Sequence, residues 1–476
     1  MSNRKSILKN FSLLLTAEVI GHILSFLLII MISRYLGDSR LGIYSFAFAF
    51  TAIFGIIFEL GFSVLLMKEV AKDKGKTERY FNNIFTLRFL LGILGILIPG
   101  VIMLFIGKVG YDIRVVWLAG IALFFNYLGY TLKSLFQAYE AVQYEAVARI
   151  IEKTVAFGIG TTALLNGYGL VAVVSGMVVS NMIYFLILFV SAKRRITDIH
   201  LSFDFVFWKY LIAKSLPFWF VLLFVNIYFK VDTVMLTLMK DYAVTGWYNA
   251  AHKLLTGLHF IPISFAYVML PVMSRISKQS RKLLKLTYRK AFYYMLSLAI
   301  PIGAGTTILA DKIIVALYTG KFFHSVIALQ ILIWAVVFLF INHVVGNFLY
   351  AIDKDYMWSF SAGISLLLNV ILNFILIPTF SYIGASLSTV ITEALCFILL
   401  LYFSSKSGYW LNVPKLCWKP TIATVVMVSV LLFLRHMSLI ILVPIGVIVY
   451  IVIMFIIKGI DKDEIDFIKT LIVRQK

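Results

Sequence analysis

The sequence predicts an all-α polytopic membrane protein of about 14 transmembrane helices, and three observations carry that prediction. Charged residues make up 14% of the 476 residues and apolar residues 62%, where a soluble chain carries roughly a quarter and a half. Mean hydropathy is +0.97, so lipid is the only solvent this surface suits. Apolar segments follow one another from end to end, with no link longer than about twenty residues and no room for a soluble domain.

A crossing helix needs about 20 mostly apolar residues. The basic start (Arg4, Lys5, Lys9) precedes a long apolar stretch without a small-residue cleavage site, which reads as a first span and not a removed signal peptide. Phe89–Gly107, Val115–Leu132, Leu254–Ser274, Ala291–Ala310 and His436–Ile457 are charge-free runs of spanning length. Thr154–Ala192 and Tyr356–Thr392 are too long for one crossing and break at turn signals, Asn166-Gly-Tyr-Gly169 and Pro378 to Gly384. The spans expected are 11–33, 43–66, 83–106, 115–139, 148–166, 170–192, 215–239, 250–272, 289–310, 325–350, 357–379, 383–404, 418–435 and 438–457. Amphipathic links at 203–211 and 281–290, and the tail with Ile465, Ile468 and Ile472, are expected to lie on the membrane surface.

An even number of spans puts both termini on one side. Of the 43 Lys and Arg, 30 fall in the tails, the even-numbered links or the adjoining span ends, against eight on the opposite side. That bias predicts cytoplasmic termini. It also accounts for the net charge of +21 through an anionic leaflet, without nucleic acid. The two cysteines, Cys396 and Cys417, have no metal-ligand spacing and are not expected to pair.

Leu41-Gly42-Ile43-Tyr44 opens span two and Thr245-Gly246-Trp247-Tyr248 opens span eight, 204 residues later. Tyr168-Gly169-Leu170 and Ile383-Gly384-Ala385 open spans six and twelve, 215 apart. Both offsets fit one register of six spans, hence two repeats related by an axis along the membrane normal. The organisation expected is residues 1–200 and 201–405 as six-helix lobes and 406–476 as two further helices with a tail.

Ionisable side chains inside spans cost about 2.5–3.5 kcal/mol each on insertion scales and therefore need a reason. Glu18 and His22 lie in span one, Glu59 in span two, Arg88 in span three, Lys133 in span four, Lys230 and Asp232 in span seven, Lys253 in span eight and Glu393 in span twelve. Arg88, Glu152 and Lys153 lie about a turn from cytoplasmic ends, where snorkelling accounts for them. Glu59, Arg88 and Lys133 fit structural ion pairs as well as a cavity. Glu18, Lys230, Asp232 and Glu393 lie deeper and point to a charge-lined cavity, because stability alone explains buried pairs poorly. Asn369 and Asn373 fit interhelical hydrogen bonding. Walker, His-Glu-x-x-His and Gly-x-Ser-x-Gly motifs are absent, so neither an enzyme nor a cofactor or metal is expected.

Several stretches resemble a known family. Ile32-Ser-Arg-Tyr-Leu-Gly37 with Leu41-Gly-Ile-Tyr44 and Glu59-Leu-Gly-Phe62 is similar to the opening of the polysaccharide-export flippases, the O-antigen and teichoic-acid types of the multidrug/oligosaccharidyl-lipid/polysaccharide superfamily. Asp232-Thr-Val-Met-Leu236, Gly246 to Lys253 and Pro271-Val-Met-Ser274 resemble the start of their second lobe, and Asn369 to Asn373 through Gly384-Ala385 their eleventh and twelfth helices. The family position at residue 59 is often Asp, and Glu59 keeps its charge.

The resemblance implies two six-helix lobes in a V shape plus two helices, in the cell membrane. It implies a cargo of polyprenyl-(pyro)phosphate-linked oligosaccharide, turned from the cytoplasmic to the outer leaflet by alternating access. Basic residues would meet the phosphates, with Lys230, Lys253, Arg88 and Lys133 as candidates, and Glu18, His22, Glu59, Asp232 and Glu393 would couple or line the cavity. Partners would be membrane lipids and the glycosyltransferases or polymerase of the same pathway. A multidrug or organic-cation antiporter of the superfamily is the main alternative. A non-transporting partner of glycan-assembly enzymes is the second.

Overall fold

A computed structural model describes residues 2–107 and 110–459. Among these residues the secondary structure is helical, without strands. The helices are α1 (Ser2–Leu36), α2 (Asp38–Glu59), α3 (Phe62–Lys72), α4 (Thr77–Phe105), α5 (Tyr111–Ala138), α6 (Gln143–Leu165), α7 (Gly169–Arg195) and α8 (Phe205–Met239). They continue with α9 (Tyr242–Leu258), α10 (Phe260–Ser277), α11 (Arg281–Tyr318), α12 (Ser325–Ala351), α13 (Asp355–Lys406), α14 (Val413–Phe433) and α15 (Leu439–Ile456).

By length and composition, 12 described segments can cross a membrane. Two more passages come from local detail. Helix α13, 52 residues long, has non-helical backbone at Ser381 (φ 53°, ψ −134°). A Cβ on Gly384 would lie 2.3 Å from the Leu376 carbonyl oxygen, so the chain folds back there and α13 makes two passages. Helix α6 carries too much charge to count by composition, yet it packs along α1 and α7 as a full passage. The described residues thus accommodate fourteen passages, the number expected from the apolar runs.

One passage is broken. It is the second, made of α2 and α3 and interrupted at Leu60 and Gly61, both in left-handed backbone (φ 47° and 71°). In the eighth, α9 and α10 meet at His259, whose backbone stays helical (φ −60°, ψ −22°). The surface segments expected at 203–211 and 281–290 instead belong largely to α8 and α11. Asp204 Oδ1 accepts from Phe207 N at 3.0 Å, and Ser280 Oγ from Leu283 N at 3.3 Å. Each side chain satisfies an orphan N–H at the helix start, and the helix then runs unbroken into the apolar segment. The tail with Ile465, Ile468 and Ile472 lies outside the described residues.

The chain divides into two compact units, Met1–Asn249 and Ala250–Lys476. In the first, α5 packs along α7 and α2 along α8, around a core that includes Phe62, Phe81, Phe136, Tyr184 and Leu211. This grouping places α8 and the first turns of α9 with the first unit, where the sequence predicts a boundary near residue 200. In the second unit α12 is enclosed by α10, α11 and α13. Helices α14 and α15 dock on α11 through Leu309, Met427, Leu431 and Leu442. Lys312 Nζ donates to the Met437 carbonyl at 3.0 Å, and Tyr450 Oη to that of Ser297 at 2.7 Å.

Candidate functional site

Residues 149, 152, 153 and 156 share one face of α6, by the three- and four-residue spacing of a helix. That face lines a cavity of about 230 Å³ inside the first unit, bounded also by α1, α2, α5 and α7 and walled by both polar and apolar side chains. Glu152, its side chain 2% exposed, takes Arg149 Nη1 at 3.1 Å on one oxygen and Lys153 Nζ at 2.9 Å on the other. Asn126 Nδ2 donates to Asn181 Oδ1 at 2.7 Å, and Tyr130, Ser25 and Ser180 complete the polar lining. Glu152 is therefore no snorkelling residue. Its distance from the helix end is short, but its face of the helix is enclosed.

Three of the sequence-predicted groups are closed into pairs within the same unit. Arg88, its side chain 1% exposed, is paired with Glu59, and also donates to Thr131 Oγ1 at 2.7 Å, Ser63 Oγ at 2.9 Å and the Tyr127 carbonyl at 3.2 Å. Glu59 accepts from Gly61 N at 2.8 Å and Ser63 N at 3.3 Å. This pair thus supplies hydrogen bonds to backbone that the break between α2 and α3 leaves without helical partners. Lys133 pairs with Glu145 at 2.7 Å, and Gln137 donates to the same carboxylate at 3.0 Å. Glu18 and His22 form a loose pair at 3.8 Å across one turn of α1, with His22 exposed.

Lys230 is different. It is half-buried on α8, nine residues before Met239, which is roughly 14 Å of helix from that end. Among the described residues it has neither a hydrogen-bond acceptor nor an ion-pair partner. Asp232, two residues on, is engaged by Tyr248 Oη at 2.7 Å.

In the second unit Lys253 is half-buried on α9. Glu393, buried on α13, accepts from Asn342 Nδ2 at 2.8 Å. Asn373 Nδ2 donates to Asn369 Oδ1 at 3.0 Å, along one helix. His259 and His343 place their Nε2 atoms 2.7 Å apart where α9 meets α10, so one must be the donor and the other the acceptor. An apolar groove of about 1000 Å³ runs between α10, α11, α14 and α15, lined by Phe265, Tyr294, Pro301, Met427, Val447 and Met454 among others. Sequence reasoning did not single out Arg149, the histidine pair or the groove. The i, i+3, i+4 spacing of Arg149, Glu152 and Lys153 was the available signal for the first.

At the other edge of α2, a Cβ on Gly42 would lie 1.7 Å from the Tyr242 carbonyl oxygen, and one on Gly246 would lie 2.1 Å from that of Asp38. The starts of α2 and α9 therefore cross backbone to backbone at the two glycines that mark the repeat. Trp247 Nε1 donates to Asp38 Oδ2 at 2.7 Å beside them.

Comparison with known proteins agrees with this architecture. The chain has the fold of the lipid II flippase MurJ in an inward closed conformation, with a TM-score of 0.79 at 19% identity over 94% of this chain and 98% of that one. A multidrug resistance MATE family transporter in an inward-facing conformation is also similar, with a TM-score of 0.62 at 13% identity over 81% and 95%. The probable low-salt glycan biosynthesis flippase Agl15 of Haloferax volcanii is 23% identical over 452 residues, 88% of each chain. An uncharacterized membrane protein of Methanocaldococcus jannaschii is 28% identical over 165 residues, 34% of this chain and 32% of its own length. A MatE family model matches residues 217–375. The polysaccharide biosynthesis protein model matches residues 7–277, more than half of the sequence, and the chain belongs to that family.

Proposed function

We propose that this protein is a flippase that turns a polyprenyl-(pyro)phosphate-linked oligosaccharide from the cytoplasmic to the outer leaflet for cell-surface glycan assembly. The observation that carries the reading is Lys230, an ammonium near mid-membrane with no protein counter-charge among the described residues. Such a charge costs at least 2.5–3.5 kcal/mol on insertion scales, and an anion arriving from outside the protein offsets it. A carrier phosphate is that anion. Lys253 is the second candidate, while Arg88 and Lys133 are paired with Glu59 and Glu145 and are read as structural pins.

The rest of the molecule suits the same cargo. A glycan headgroup cannot cross hydrocarbon with its hydroxyls unsatisfied, and polar lining replaces its water. The apolar groove of the second unit suits a polyprenyl tail. Asp232 and Glu393 are the carboxylates we assign to coupling; Asp232 accepts from Tyr248 and Glu393 from Asn342, both neutral donors. Glu18 and His22 line the approach on α1. Both termini are cytoplasmic in this reading, the two six-helix repeats work as alternating-access lobes, and the glycosyltransferases or polymerase of the pathway are the functional partners.

The experiment is a substitution set scored for protein level and for glycan labelled at the cell surface. Lys230→Ala should abolish export with the protein still folded and in the membrane, and Lys230→Arg should keep part of it because charge survives a change of donor geometry. If Lys230 served only to neutralise a carboxylate, pairing the change with Asp232→Ala or Glu18→Ala would restore export. Recovery in either double variant refutes the phosphate role.

A further inference from the structure

The cavity inside the first unit is not accounted for by Lys230 or by the closed pairs. Among its lining residues the charge is lopsided. One carboxylate, Glu152, serves two cations, with one contact to Arg149 at 3.1 Å and one to Lys153 at 2.9 Å. A guanidinium carries five N–H donors and an ammonium three, so most of the donor capacity on these two side chains is not spent on Glu152. Both remain part-exposed, 18% and 24%, and both line the cavity. The other carboxylate that acts on Arg149 is Glu18 of α1, whose own contact is His22 at 3.8 Å.

The surroundings suit more than water. The volume corresponds to about eight waters at roughly 30 Å³ each, room for one small oxyanion or a single sugar unit. Asn126, Asn181, Tyr130 and Ser180 place amide and hydroxyl groups around the two cations, the mixture that hydroxyl-bearing ligands require. Glu152 sits where such a ligand's negative charge would sit. It neutralises the cations while the cavity is empty, which avoids leaving two part-buried cations unpaired.

From this geometry we infer that the cavity binds an oxyanion of the cargo headgroup, with Arg149 and Lys153 as its ligands and Glu152 as the internal counter-anion it displaces. The oxyanion is a phosphate of the carrier or the carboxylate of an acidic sugar. The inference rests on the glycan-carrier reading for its cargo, but its test is an equilibrium measurement on purified protein. It can therefore fail while export stands, and hold while export fails.

The full-length protein would be titrated with inorganic pyrophosphate and, separately, with glucuronate, following binding by calorimetry and by the melting temperature. Removing the internal competitor in Glu152→Gln should tighten binding of one probe at least tenfold. The same variant should melt below wild type in anion-free buffer and recover when that probe is added. Arg149→Gln and Lys153→Gln should each weaken binding at least tenfold. Asn126→Asp, nearly isosteric, adds a second competing carboxylate and should also weaken binding, which keeps the test decisive should Glu152→Gln not fold. A response to pyrophosphate assigns the anion to the carrier, and a response to glucuronate assigns it to the sugar. If neither probe binds more tightly to Glu152→Gln, or if Asn126→Asp binds like wild type, the inference is overturned.

Discussion

Replacing Arg88 by methionine removes the cation that neutralises Glu59 and leaves a carboxylate, 7% exposed, at the break of the second passage. Breaking a buried pair from one side costs about 3–5 kcal/mol. Glu59→Gln strands the guanidinium instead and should cost a similar amount, although its amide oxygen can still accept from Gly61 N. The double variant has no stranded charge and keeps that acceptor. It should return to within about 1–2 kcal/mol of wild type, where independent effects would add to about 6–10 kcal/mol. The expected coupling is therefore at least ~4 kcal/mol, well above the 0.5–3 kcal/mol usual between neighbours. A double-variant cycle of detergent-induced unfolding, backed by melting curves, measures it. Additive losses would refute the structural role of the pair. So would an Arg88→Met protein that keeps wild-type stability but no longer exports glycan, which would return Arg88 to the cargo path.

Three further outcomes follow from the structure. Asp204 is held below the usual carboxylate range by the Phe207 N–H and then by the Arg79 guanidinium, so its contribution to stability is present at neutral pH. It is lost as pH falls below about 3.9, where the unfolded chain takes up the proton first. The melting difference between wild type and Asp204→Asn should accordingly shrink between pH 7 and pH 3, and a constant difference would contradict the assignment. Gly246→Val forces a side chain into the Asp38 carbonyl, at about 1–3 kcal/mol for overpacking, and should raise the thiol reactivity of a cysteine at position 38. Unchanged reactivity would show that the crossing does not hold the two helix starts together. Cysteines at Gly110 and Lys321 should react with an impermeant reagent applied outside cells and those at Lys74 and Lys282 should not, and labelling at Lys282 would reverse the proposed orientation.

The passages were legible because spanning length and apolarity are properties of composition, which survive ignorance of packing. Turn chemistry was equally readable: Asn166 to Gly169 ends α6 and starts α7 with Gly167 and Gly169 at positive φ, as the glycines there imply. The break in the second passage was not legible. Leu60 is an ordinary helix residue, and the carboxylate of Glu59 caps N–H groups beyond the bend. Charge near a helix end was also ambiguous. Sequence distance placed Glu152 and Lys153 within reach of the cytoplasm, but which face of α6 they occupy depends on where α1 and α7 pack. Lys230 was recognisable as too deep to snorkel, and its lack of a partner among the described residues needed three dimensions.

The Glu59–Arg88 pair also bears on how the chain enters the membrane. Its carboxylate belongs to α2 and its guanidinium to α4, passages made one after the other during synthesis. Either helix alone would bring an uncompensated charge into lipid, at about 2.5–3.5 kcal/mol on insertion scales. Released as a hairpin with α3 between them, they bring none. The second and third passages are therefore expected to enter the membrane as a unit, and a chain truncated between them should integrate less stably than one that contains both.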